Sequence, residues 1–261
     1  MSDQVLLARE GRVLRATLNR EDKRNALSAE MCEAIVAAVE GASEDPSVGA
    51  VLLDAKGQVF CAGMDLDEAA SAEAVQLTAI HERLFTLGKR VAVPIVVCVQ
   101  GPALGGGVGL MANGHIVVAA QGSTFALTEI RLGMWPFVIF RSLVHAIGER
   151  QAVALSLTGR VFSVPEALQF GLIHESTQAI EAGDRASAIA QHLAGLSSET
   201  IRRGLEFVHE VRHLRDDEAV QTAAGYRAVN FSSHDFSEGI RAFREKRRPN
   251  WPSHGDLQRP R

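Results

Sequence analysis

A chain of 261 residues, 46% hydrophobic and 22% charged, has ordinary globular composition and enough length for one large core, or a core with a small appendage. Its net charge of −4, with Lys and Arg scattered, gives no reason to expect a nucleic-acid partner, and no apolar run is long enough to span a bilayer. Cys32, Cys61 and Cys98 fit no metal-ligand spacing, so no metal is expected and a reduced, cytoplasmic setting fits best. Met1-Ser2-Asp3-Gln4 lacks the basic-then-apolar pattern of a signal peptide.

Strands are expected over 5–9 and 13–19, joined at Glu10-Gly11; in the second, Leu14, Ala16 and Leu18 alternate with Arg15, Thr17 and Asn19. Ser28 reads as the N-cap of a helix on which Met31, Ile35, Ala38 and Ala42 recur at helical spacing. A buried strand over 50–55 leads to a loop over 60–65, and a helix is expected over about 72–90. Strands follow at 95–99 and 116–120, with helix over 110–113 between them and a short extended piece at 124–126. Strand and helix thus alternate to about residue 130, which indicates an α/β fold. From about Phe140 the pattern is nearly all helical, over 139–147, 150–157, 165–170, 184–195, 198–225 and 235–247. The spiral core is expected over 1–195 and a C-terminal helical region over 196–261.

Two segments can expose backbone. Gly105-Gly106-Gly107, followed by Val108-Gly109, has so little side-chain cover that its N–H groups can approach a ligand atom. Close helix–strand packing accounts for the same glycines equally well. It is no nucleotide loop, because neither a following Gly-Lys-Ser/Thr nor the G-x-G-x-x-G spacing with a downstream acid is present. The second segment, Phe60-Cys61-Ala62-Gly63-Met64-Asp65, directly follows a strand. Two N–H donors converging on one oxygen would make an oxyanion hole. The basic cluster of Arg244, Lys246, Arg247 and Arg248 reads by default as a solvated tail.

Six stretches, taken together and in order, resemble the crotonase (enoyl-CoA hydratase/isomerase) family. They are Asn25-Ala26-Leu27, Phe60 to Leu66, Gly101 to Gly107, Glu129-Ile130-Arg131-Leu132-Gly133, Ala167 to Leu172, and Glu238-Gly239 to Arg247. The resemblance implies a spiral of ββα units, a helical C-terminal region used for trimer formation, and an acyl-CoA thioester substrate with no permanently bound cofactor. By position, it implies oxyanion donors at Met64 and Gly106 and a catalytic carboxylate at Glu129. Lys23, Arg24, Ala26, Ala62, Asp65, Leu66, Gly105, Trp135 and Phe137 would surround the substrate. Phe243 and Lys246 would reach the CoA of a neighbouring subunit of a homotrimer or dimer of trimers.

The chain also departs from the family's pattern. Hydratases of the family usually carry two glutamates, and the first position here is Gly109. A single carboxylate can still carry a proton from C2 to C4 of a 3-enoyl thioester. Phe137 stands where glycine is usual, and bulky residues there would narrow the acyl pocket and exclude water. Asp67 replaces a lysine expected near CoA, His115 replaces an aspartate without an assigned role, and Asp65 reads more as a turn residue than a proton carrier. Three activities follow as expectations: hydratase or isomerase through Glu129; decarboxylation or C–C cleavage through an enolate; or a catalytically silent acyl-CoA-binding trimeric scaffold.

Overall fold

The computed structural model describes residues 3–71 and 74–258. A six-stranded sheet runs in the order β1 (Val5–Glu10), β2 (Val13–Leu18), β3 (Ala50–Ala55), β4 (Ile95–Val99), β6 (Ile116–Ala120), β9 (Glu175–Thr177). The β1–β2 pair is antiparallel and every later pair is parallel. A second, three-stranded sheet joins β5 (Ala103–Leu104), β7 (Thr124–Ala126) and β8 (Phe162–Ser163).

The central strands read as unbroken apolar runs because both sheet faces are covered. Val51, Leu53, Val97, Val99, Val117 and Ala119 point into the larger core. There α1 (Ala29–Glu44) brings Met31, Ile35 and Val39, and α3 (Ala74–Leu84) brings Leu77, Ile80 and Leu84. Ala50, Leu52, Val96, Cys98, Val118 and Ala120 point the other way. They meet Ala182, Ala186, Ala190 and Ala194, a stripe of small residues one turn apart on α8 (Ala182–Ala194). Small side chains let this helix approach closely: a β-carbon on Gly49 would lie 2.7 Å from Ala194 Cα. As its N-cap position demands, the Ser28 hydroxyl accepts the Met31 N–H.

The remaining helices are α2 (Leu66–Ala69), α4 (Gly106–Met111), α5 (Phe137–Ile147), α6 (Glu149–Thr158), α7 (Val164–Phe170), α9 (Ser198–Val211), α10 (Asp216–Phe231) and α11 (His234–Glu245). Two expectations need correction. The helix expected over 72–90 is shorter: its start at 72–73 lies outside the described residues, and α3 ends at Leu84, followed by a 3-10 turn at Leu87–Lys89. The helix expected over 198–225 is two. The chain breaks between α9 and α10, where Glu218 reaches back to the Arg215 N–H. The region beyond Phe140 is nearly all helical as expected, but it also holds two short strands, β8 and β9, that the expectation did not include.

Candidate active site

The segment after β3 is held from both sides. Leu27 N–H donates to Gly63 O at 2.7 Å, and Asp65 N–H donates to Leu27 O at 3.1 Å. Leu104 N–H donates to Cys61 O at 2.9 Å, tying the same segment to β5. The Asp65 carboxylate caps α2 by accepting the Asp67 and Glu68 N–H groups, and Arg20 Nη1 lies 2.6 Å from it. Burial alone would raise this carboxyl's pKa, but Arg20 and the two N–H groups outweigh it and hold the group below the ordinary aspartate range. Gly63 takes φ +95°, which only glycine adopts without strain. These constraints leave the Met64 N–H without a partner among the described residues.

The glycine loop arrives beside it. Helix α4 begins at Gly106, earlier than the 110–113 helix expected, so its first turn is built of glycine. Each glycine has its own reason. A β-carbon on Gly107 would lie 2.5 Å from Cys61 O, and one on Gly109 would lie 2.2 Å from Ile139 Cγ2. Those two positions are close packing. Gly105 and Gly106 instead border an open cavity. The Gly106 N–H, in the unpaired first turn, also has no partner among the described residues. A β-carbon on Gly63 would sit 3.4 Å from Gly106 N, and one on Gly106 would sit 3.6 Å from Met64 N, so the two free donors share one small region.

The cavity measures about 410 Å³ and also takes in Ala62, Leu66, Thr128, Glu129, Leu132, Trp135, Phe137 and Val138. Glu129 stands on a 3-10 turn, Thr128–Leu132, against the bare backbone of Gly105, where a β-carbon would lie 3.0 Å from its Oε1. Its Oε2 is buried without a hydrogen-bond partner. Burial raises the carboxyl's pKa above the usual value. Arg131, the neighbouring cation, turns away and donates to Gly159 O at 2.6 Å. Trp135 packs at 5.7 Å against Phe140, and Phe137 is 76% exposed at the mouth.

Several expected residues lie off the cavity wall. Ala26 O accepts from Arg20, and Lys23 approaches Asp67 at 3.5 Å on the surface. Arg24 is exposed at the left-handed end of a short 3-10 turn. Phe243 is 84% exposed on α11, and Lys246 is its exposed C-cap. His115 is structural: Nδ1 accepts the Ile95 N–H and Nε2 meets Gly88 O. Cys61, inside the loop, is fully buried, and its thiol is pushed up to about 12 by desolvation, so it stays protonated.

Sequence reasoning missed the wall supplied by Leu77 and His81 of α3 and by Phe85 just beyond its end. The available signal was the helical spacing of 77, 81 and 85, which reads equally as core.

With that geometry in view, the comparisons are consistent. The profile for enoyl-CoA hydratase/isomerase matches residues 8–254. The chain is 31% identical over 259 residues to the mitochondrial enoyl-CoA hydratase domain-containing protein 3 of Danio rerio, covering 98% of this chain and 90% of that one. It is 31% identical to enoyl-CoA hydratase EchA19 of Mycobacterium tuberculosis, covering 95% and 96%. A solved enoyl-CoA hydratase from Mycobacterium smegmatis superposes with a TM-score of 0.90 at 29% identity, over 96% of this chain and 100% of that one. A match over nearly the whole length, in both sequence and fold, places this chain in the enoyl-CoA hydratase/isomerase family.

Proposed function

We propose that the protein acts on an acyl-CoA thioester through an enolate, with Glu129 moving the proton at the α-carbon. The observation that carries this reading is the unpaired, buried Oε2 of half-buried Glu129, on the wall of a cavity also lined by Met64 and Gly106, whose N–H groups are unpaired among the described residues. An unsatisfied buried polar group costs about 1–3 kcal/mol, which argues against a silent scaffold. A thioester oxygen between the two donors would gain negative charge as the α-proton leaves. Each aimed donor stabilises such charge by about 3–4 kcal/mol. Glu129, its pKa raised by desolvation, is suited to proton transfer closer to neutral pH than an ordinary carboxylate.

Within the family, the packing at Gly109 favours isomerisation over hydration. Ile139 fills the place where a second carboxylate would begin. One carboxylate suffices to take a proton from C2 of a 3-enoyl thioester and return it to C4, moving the double bond into conjugation. Lys23 and Arg24, on the surface, are the cations assigned to the CoA phosphates. Residues 196–261 would serve self-association as a homotrimer or dimer of trimers, carrying Phe243 and Lys246 toward a neighbouring subunit's CoA.

The test is incubation of purified protein with 3-enoyl-CoA and with 2-enoyl-CoA while following the conjugated-thioester absorbance. Isomerisation raises it from the first substrate, and hydration lowers it from the second. The reading fails if Glu129→Gln turns over either substrate as fast as the unsubstituted protein.

A further inference from the structure

His81 is set in the apolar wall of the cavity, on the face of α3 that also presents Leu77 and Leu84, with Phe85 one residue beyond the helix. It is 4% exposed, and its Nε2 is buried with no hydrogen-bond partner. Desolvation lowers its pKa to about 4, so the ring is neutral at physiological pH. A neutral imidazole offers one N–H donor and one acceptor nitrogen. Its ring lies 5.4 Å from that of Phe85, and Phe85 Cζ is 3.3 Å from where a β-carbon on Gly106 would stand. His81 is therefore one aromatic ring removed from the two free N–H donors. No lysine or arginine lines this cavity among the described residues.

From this placement we infer that His81 recognises an uncharged oxygen, a hydroxyl or a ketone, on the acyl chain beyond the reacting carbons. The substrates are then oxygenated acyl-CoA thioesters rather than plain hydrocarbon ones. The nitrogen is closed off in the empty cavity, so a ligand hydroxyl or carbonyl oxygen pairs with it after a small turn of the ring, whereas a methylene leaves it unsatisfied. A carboxylate is a poor occupant, since it would enter an apolar wall without a cation to meet it. The inference rests on the acyl-CoA reading of the cavity proposed above.

Binding of saturated, non-reacting thioesters tests it by calorimetry: hexanoyl-CoA against hexanoyl-CoA bearing a hydroxyl or ketone at C5 or C6. At least one oxygenated ligand is expected to bind about tenfold more tightly than hexanoyl-CoA, the effect of one satisfied hydrogen bond. His81→Leu is expected to abolish or invert that preference, and His81→Gln to keep part of it. His81→Phe serves where the leucine variant fails to fold. Equal binding of all ligands by the unsubstituted protein overturns the inference, as does a preference that survives in His81→Leu. In either case turnover that still depends on Glu129 leaves the acyl-CoA reading intact; if no thioester binds at all, both fall.

Discussion

Ile139 occupies the space that a side chain on Gly109 would need: a β-carbon there would lie 2.2 Å from Ile139 Cγ2 and 2.7 Å from its Cβ. Both contacts are far inside van der Waals distance, and Phe85 Cδ1 closes the other side at 3.3 Å. The missing second glutamate is therefore a repacked position rather than a simple deletion. Gly109→Glu alone is expected to destabilise the fold by at least the 1–3 kcal/mol typical of overpacking, and to create no hydration of 2-enoyl-CoA. Gly109→Ala with Ile139→Ala is expected to be more stable than the sum of the two single changes predicts. Urea unfolding of the four proteins measures that coupling, and simple additivity would show that the two sites do not compete for space.

For Glu129, the raised pKa fixes the direction of two pH effects. If the carboxylate is the base, kcat/KM rises with pH through a midpoint above the ordinary glutamate value of about 4.3. Glu129→Gln should lower turnover by about 10²–10⁴-fold, the usual worth of a positioned acid/base. The same substitution should raise thermal stability at pH 8, because the folded protein no longer holds a buried charge. A raised carboxyl pKa penalises the fold only where the group ionises, so the gain should shrink toward zero as pH falls below the unfolded carboxylate's range. Melting curves at pH 8 and pH 4 test the sign, and a variant less stable at pH 8 would contradict it.

The parallel strands were legible in the sequence because burial on both faces leaves contiguous apolar runs such as Ile95–Val99. β9 was not, because its residues Glu175–Thr177 are only half-buried at the sheet edge and carry no apolar pattern. The break between α9 and α10 had a local signal, Asp216-Asp217-Glu218 as an acidic first turn, but the apolar spacing running across it hid the boundary. In the cavity, Gly105 and Gly106 could not be told from Gly107 and Gly109 by spacing alone. Which glycine faces a cavity and which faces Ile139 depends on α5, thirty residues downstream. His81 was invisible for a related reason: on α3 it follows the spacing of Leu77, Leu84 and Phe85, and only three-dimensional placement shows an unpaired nitrogen among them.

The Arg20–Asp65 pair is expected to hold the Met64 loop in shape. Asp65 is 5% exposed, and its carboxylate takes the Arg20 guanidinium and two backbone N–H groups at once. Arg20→Met leaves a buried carboxylate short of its cation, which should cost about 3 kcal/mol or more; Arg20→Met with Asp65→Asn should cost less than the two single changes together. Because the Asp65 pKa is lowered in the fold, its contribution is present above the unfolded value of about 3.9 and is lost as pH falls through the folded one. Denaturant unfolding at pH 7 and pH 3 measures the coupling, and a coupling unchanged at pH 3 would assign it to packing.

Gly106 tests the oxyanion reading without altering a titratable group. A β-carbon there would stand 3.6 Å from Met64 N, 3.3 Å from Phe85 Cζ and 3.2 Å from Leu27 Cδ1. The two shorter contacts are tighter than ordinary packing, so the buried Leu27 and Phe85 side chains must give by a few tenths of an ångström, and the methyl group would crowd the space beside the Met64 N–H where the thioester oxygen is proposed to sit. Gly106 is also free of the left-handed backbone that makes Gly63 and Gly105 hard to replace. Gly106→Ala is therefore expected to fold with a modest loss of thermal stability while kcat falls about 10²–10³-fold, as if one oxyanion donor were blocked. The pH profile should keep its midpoint, because Glu129 is untouched. Steady-state kinetics across pH, alongside circular dichroism of the variant, separates the outcomes. A fall in kcat with a shifted midpoint would mean that the methyl group acts through Glu129, whereas full activity would show that the thioester oxygen does not sit in the space the methyl group takes.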